Sequence, residues 1–155
     1  MTDERLRVGE RAPRFTLPAD SWETEVSLGE LLERRPVALF FYPGDWSSVC
    51  TDQMEVIQRN LDEFERRGVQ VLAVSVDSPW SHRAWADTRE LTIPLSSDFH
   101  KEVARSYGVL REEGFCERAY FLIDTSGVVQ ASRVEEAPGD QPDVEDILDD
   151  LDSLN

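Results

Sequence analysis

Four apolar runs rich in β-branched and aromatic residues, at 37–42, 69–76, 119–123 and 128–134, are interleaved with stretches whose apolar positions recur every three or four residues. Those helical stretches lie at 48–67, 79–89 and 99–107. A strand buried on both faces reads as an unbroken apolar run, and strands interleaved with helices build a sheet covered on both sides. Gly68, Gly108 and Gly127 stand where helix ends or turns are expected. Asp124-Thr-Ser-Gly127 reads as the tight turn of a hairpin, so the last two strands form an antiparallel pair. The expected architecture is an α/β fold with a central mixed sheet flanked by helices on both faces, in one domain spanning 1–155. After Glu135 come Pro138, Gly139 and Pro142, and then Val144, Ile147, Leu148, Leu151 and Leu154 on one apolar stripe. That stripe predicts a C-terminal amphipathic helix packed on the chain's own sheet.

The charge balance narrows the function classes. The chain has 32 Asp and Glu against 16 Lys and Arg, a net charge of −16. Such a surface repels phosphate backbones, so no nucleic-acid partner is expected. No apolar run approaches the length of a membrane span, so no membrane partner is expected either. Two cysteines and a polar N-terminus without a secretory leader point to a reducing, cytoplasmic setting in which thiols do chemistry. Lys101 is the only lysine, and the other cations are arginines. Abundant carboxylates with almost no lysine is the composition expected of a protein living in concentrated salt. The plainer account is an acidic, arginine-preferring proteome.

Cys50 carries the chemistry. The strand-like run Pro36-Val-Ala-Leu-Phe-Phe-Tyr-Pro43 stops at a proline, and Gly44-Asp45-Trp46-Ser47-Ser48-Val49 forms a turn. Met54, Ile57, Leu61 and Phe64 then make a helical stripe, with Cys50 on it one turn before Met54. A cysteine in the first turn of a helix meets unpaired backbone N–H groups and the positive end of the helix dipole, which favour thiolate. A small buried hydrophobe packing a helix start is the alternative reading. Ser47 offers a hydroxyl in the same turn, or else a helix N-cap. Arg118 heads an apolar strand, an unusual place for an obligate charge without a buried anionic partner; a surface pair with Glu117 is the alternative.

The pattern Pro43-x-x-x-Ser47-x-x-Cys50 resembles the active-site motif of the peroxiredoxins, with Ser47 where that family has Thr or Ser. The resemblance continues through 8–18, 26–32, 71–79, 93–98, 103–109 and 118–124, in order, and covers about Val8 to about Arg133. It implies a thioredoxin-like fold and an antioxidant, thiol-dependent peroxidase acting on hydrogen peroxide and organic hydroperoxides. In that reading Cys50 is the peroxidatic nucleophile and passes through a sulfenic acid. Thioredoxin, glutaredoxin or a low-molecular-weight thiol would reduce it again, with no cofactor. Pro43 would shield the sulfur, Ser47 and the N–H groups of Val49 and Cys50 would face the peroxide oxygens, and Arg118 would stabilise the thiolate and orient the peroxide. A homodimer is compatible with the resemblance.

Two departures bear on the cycle. The bacterioferritin-comigratory subgroup often carries a resolving cysteine five residues after the first, where this chain has Glu55. No residue after Cys116 contains sulfur, so a resolving cysteine in a C-terminal extension is not expected. What remains is a one-cysteine cycle or resolution by Cys116, whose other reading is a packed strand residue. On an extended strand Cys116 and Arg118 would project to the same face, about 6–7 Å apart.

His82 and His100 are expected to face solvent on helices, and no histidine or cysteine has zinc-site spacing, so no metal is expected. Trp46 is placed at the mouth of the site, whereas Trp22, Trp80 and Trp85 fit core or interface equally. A cysteine hydrolase pairing Cys50 with His82 or His100 lacks an orienting acid. A redox sensor or chaperone-like assembly on the same fold is the non-enzymatic alternative. A dithiol oxidoreductase is disfavoured because there is no Cys-x-x-Cys.

The high-salt reading makes a direct prediction. Screening weakens repulsion within a net charge of −16, so the melting temperature rises from low salt to molar potassium chloride. A flat or falling series would remove that explanation of the composition.

Overall fold

The computed structural model describes residues 5–135 and 142–154. Along the chain run β1 (Thr16–Pro18), β2 (Glu25–Ser27), α1 (Leu28–Leu32), β3 (Val37–Phe41), α2 (Ser48–Arg59), α3 (Leu61–Arg66) and β4 (Gln70–Ser75). Then come α4 (Pro79–Arg89), β5 (Leu95–Ser97), α5 (Glu102–Ser106), β6 (Arg118–Ile123), β7 (Val129–Glu135) and α6 (Val144–Asp152). The four apolar runs form β3, β4, β6 and β7, joined by β5 in a sheet of order β5-β4-β3-β6-β7. β3 pairs parallel with β4 and β4 with β5, while β3–β6 and β6–β7 are antiparallel. The sheet is therefore mixed, and β1–β2 form a separate small hairpin.

Alternation along β3 divides the core in two. Ala38, Phe40 and Tyr42 face one cluster with Met54, Ile57 and Phe64, with Trp85 of α4, and with Ile147 and Leu151 of α6. Val37, Leu39 and Phe41 face the other, with Leu28 and Leu32 of α1 and Val103 and Ala104 of α5. Helices thus cover both faces, as the strand–helix alternation requires.

Local chemistry explains where element bounds differ from expectation. The helix expected over 48–67 is broken at Asn60, whose backbone leaves helical geometry at φ −109° and ψ 11°. Its side-chain amide donates to the Val56 carbonyl at 2.8 Å, occupying the acceptor that its own backbone N–H would use in an unbroken helix. The helix expected from Phe99 starts only at Glu102, because the Asp98 carboxylate accepts from the N–H groups of Val103 and Ala104 at 3.2 and 2.7 Å. Strand β5 is too short to show a period, and it was not foreseen. The Asp124–Gly127 turn forms as expected, with Gly127 at φ 85° and its N–H donated to the Asp124 carbonyl.

The C-terminal helix docks on its own sheet. Asp143 caps it, Ile147, Leu148 and Leu151 are buried, and Arg133 of β7 forks onto both carboxylate oxygens of Asp150 at 2.9 and 3.1 Å. Leu151→Ala should therefore cost about 2–5 kcal/mol of stability. Asp152→Ala, which removes an exposed pair with Arg67, should cost under about 1 kcal/mol. Urea unfolding of the two variants measures the contrast, and equal losses would contradict the docking.

Candidate active site

Helix α2 begins where the sequence places it, with Ser47 as N-cap and Cys50 in the first turn. The Ser47 hydroxyl oxygen accepts from the Cys50 N–H at 3.4 Å. This corrects one expectation: the Cys50 N–H is turned onto Ser47 and is not left for a substrate oxygen. Pro43 and Ser47 are half-buried and Trp46 is exposed, so the turn forms a partly open lip beside a sulfur that is itself fully buried. Trp46 holds a left-handed backbone at φ 71°.

Arg118 reaches this sulfur from the start of β6. Its Nη1 lies 3.3 Å from Cys50 Sγ and 2.7 Å from Gln53 Oε1, and only 2% of the residue is exposed. Glu117, the surface partner of the alternative reading, pairs with Arg111 and Arg5. The guanidinium is thus held against the sulfur within the protein interior. Gln53 was not singled out from sequence. It is buried one helical turn beyond Cys50, and its neutral amide accepts from the guanidinium without cancelling the charge. Its i, i+3 spacing from Cys50 was the available signal.

A second buried network braces the lip. Tyr42 donates to Asp45 Oδ1 at 2.7 Å, Ser81 donates to Asp45 Oδ2 at 2.8 Å, and the Asp45 N–H donates to Asp77 Oδ2 at 2.8 Å. His82 sets Nδ1 2.8 Å from Asp45 Oδ2 and Nε2 2.9 Å from the Ser96 carbonyl. Burial, with Asp45 adding to it, raises the Tyr42 hydroxyl well above its ordinary range and raises the Asp77 carboxyl as well. Farther along α2, the Trp85 indole donates to Thr51 at 3.2 Å and ties α4 to the residue after Cys50.

His82 is thus not the solvent-facing residue expected. Pro79, His82 and Trp85 share the buried face of α4, and a polar residue on that stripe escaped an apolar count. Both ring nitrogens are committed to Asp45 and Ser96, so His82 is not placed as a base for Cys50. His100 is exposed, as expected, but in a turn and not on a helix. A carboxylate oxygen of Asp45, one of Asp77 and a ring nitrogen of His82 lie within 4.8 Å of one another, a grouping no local spacing announces. All three side chains already accept or share hydrogen bonds within the protein. Trp85 is core, while Trp22 and Trp80 are exposed and stack edge-to-face at 5.7 Å.

Cys116 corrects a second expectation. It precedes β6 in an isolated bridge to Leu110, and the Glu117 N–H turns to the Val109 carbonyl at 2.7 Å. Cys116 lies outside β6, which starts at Arg118, and the alternation of that strand does not carry through to it. Cys116 packs with Val109 and Phe121 in the cluster on the sheet face opposite Cys50. Burial pushes its thiol far up, and the charges of Asp98, Asp77 and Cys50 add to the effect.

Comparisons with known proteins bear on the family and the fold. The AhpC/TSA family profile matches residues 8–132. The chain is 41% identical over 138 residues to a chloroplastic 2-cysteine peroxiredoxin of Chattonella marina var. antiqua, covering 83% of this chain and 71% of that one. It superposes on reduced 2-Cys peroxiredoxin of Plasmodium vivax with a TM-score of 0.87 at 32% identity, covering 95% and 81% of the two chains. For the peroxidoxin BcpB of Mycobacterium tuberculosis the TM-score is 0.88 at 27% identity, with 97% and 99% covered. A motif, a fold and a family match that all coincide on the same residues place the chain in the AhpC/TSA family: it is a peroxiredoxin, a thiol-dependent peroxidase.

Proposed function

We propose that Cys50 is the peroxidatic nucleophile, with Arg118, Ser47 and Pro43 completing the site. The observation that carries this reading is the buried Arg118 guanidinium 3.3 Å from the Cys50 sulfur. The thiolate attacks one oxygen of hydrogen peroxide or an organic hydroperoxide, and the O–O bond breaks. The sulfur becomes a sulfenic acid, and the leaving oxygen takes a proton to depart as water or an alcohol. Arg118 holds the thiolate and then faces the oxygen as charge develops. Ser47 accepts from the Cys50 N–H, which leaves its hydroxyl proton for a peroxide oxygen. Pro43 contributes no N–H and restricts the lip.

An external thiol closes the cycle. It condenses with the sulfenic acid, releasing water and leaving a mixed disulfide, and a second thiol frees Cys50 as that disulfide is reduced. Thioredoxin, glutaredoxin or a low-molecular-weight thiol serves as reductant. A one-cysteine cycle suits Cys116 better than resolution does, because Cys116 lies in the other cluster and burial keeps its thiol protonated. The reading includes a single catalytic domain in the cytoplasm and a high-salt habitat, supported by two free thiols and the acidic, lysine-poor composition. No helix among the described residues is long and apolar enough to cross a membrane. A homodimer is the assembly we favour, supported by the exposed aromatic cluster of Trp22, Trp80 and Phe99.

Two measurements test the site. Cys50→Ser should abolish peroxide consumption, while Cys116→Ser should retain it with a small-thiol reductant. Persistence of activity in Cys50→Ser would sink the central claim. A Cys50–Cys116 disulfide in peroxide-treated protein, with turnover lost in Cys116→Ser, would make Cys116 the resolver.

Arg118→Ala and Ser47→Ala should each slow sulfenic acid formation by on the order of 10²–10³, the usual loss for one preorganised donor. Stopped-flow kinetics reads the loss, with circular dichroism to verify folding. Rates within about twofold of the parent protein would remove the substituted residue from the site.

A further inference from the structure

His82 has two ring nitrogens and no water-facing side: it is fully buried on α4. Nε2 meets the Ser96 carbonyl, which can only accept, so Nε2 carries a proton. Nδ1 meets Asp45 Oδ2 at 2.8 Å, and Asp45 also accepts from Tyr42 and Ser81. Without a proton between them, an imidazole lone pair and a carboxylate lone pair would oppose each other in a dry site. Asp45 belongs to the lip between Pro43 and Ser47, and its N–H is held by Asp77 of the next strand's end.

On these contacts, and resting on the assignment of Cys50 as nucleophile, we infer that His82 is a positioning residue: as a doubly protonated imidazolium it clamps Asp45 and fixes the lip that presents Cys50. The pair is neutral overall, so it acts on the position of the lip and not through net charge at the sulfur. Burial, with the nearby Asp45 adding to it, raises the Asp77 carboxyl beside this pair. No other titratable side chain is in hydrogen-bond contact with the ring among the described residues, apart from Tyr42 at 3.5 Å.

The inference separates from a general structural role because one substitution preserves every bond while removing the charge. In Asp45→Asn the amide oxygen accepts from Tyr42, and the amide N–H₂ donates to His82 Nδ1 and to Ser81. His82 then needs only its Nε2 proton. Nitrogen-15 NMR at neutral pH should show both ring nitrogens of His82 protonated in the parent protein and Nδ1 unprotonated in Asp45→Asn. A neutral, singly protonated His82 in the parent protein would overturn the inference, and that readout needs no peroxidase activity. Alkylation of Cys50 by iodoacetamide, resolved from Cys116 by peptide mass, should slow on the order of tenfold or more in His82→Ala and Asp45→Ala, since misplacement of about 1 Å can cost 10²-fold. Asp45→Asn should recover most of that loss relative to Asp45→Ala. Parent-like alkylation in both alanine variants, or no recovery in Asp45→Asn, would refute the positioning role. Loss of peroxide consumption in Cys50→Ser is independent of all these results, so failure here leaves the nucleophile assignment standing.

Discussion

The guanidinium of Arg118 is a full charge enclosed by protein, and burying such a group costs several kcal/mol unless partners meet it closely. Its Nη1 is shared by Cys50 Sγ and Gln53 Oε1, both on α2. Gln53 accepts a hydrogen bond from the guanidinium without adding a countercharge. This arrangement demands that α2 be held in register with β6. Ser47 caps the helix, Trp85 bonds Thr51, and Met54 and Ile57 seat it on the sheet. Much of the packing on this face serves to keep one cation beside one thiol.

The sheet separates the two sulfurs chemically as well as spatially. Cys50 shares its face with the Arg118 cation and lies in the first turn of α2. Cys116 sits among aliphatic and aromatic side chains on the other face, where burial opposes ionisation. The chain thus holds one sulfur beside a buried cation and one enclosed among apolar side chains. The difference arises from which face each occupies and not from the residue type.

The arginine-rich surface also has structural work. Arg133 forks onto Asp150, Arg67 spans Glu63 and Asp152, and Arg111 spans Glu113 and Glu117. A planar guanidinium serves two oxygens or two carboxylates at once, which an ammonium does with less geometric definition. In a chain with twice as many acids as bases, each cation that engages two acidic oxygens reduces repulsion more effectively. Several of these pairs hold helices α3 and α6 to their neighbours.

The runs at 37–42, 69–76, 119–123 and 128–134 were legible because strands buried on both faces need unbroken apolar sequence, and α4 was legible because Pro79 and its periodicity bound it. Cys50 in a first helical turn was legible too, since the cap, the turn and the stripe are all local. Short β5, the break at Asn60 and the Asp98 cap were not, because single side-chain hydrogen bonds decided them. The contacts that complete the site lie farther beyond local reading: Arg118 to Cys50 spans 68 positions, His82 to Asp45 spans 37 and Asp45 to Asp77 spans 32. Cys116 shows the limit from the other side: it lies outside β6, in a bridge to Leu110, and packs in the cluster opposite Cys50, so the alternation of β6 does not extend to it. Sequence alone determined which segments bury apolar surface and which thiol meets a helix start, because those depend on neighbours in the chain. Only the tertiary structure decided which charges meet that thiol, because burial and hydrogen bonding are settled between elements that the chain keeps apart.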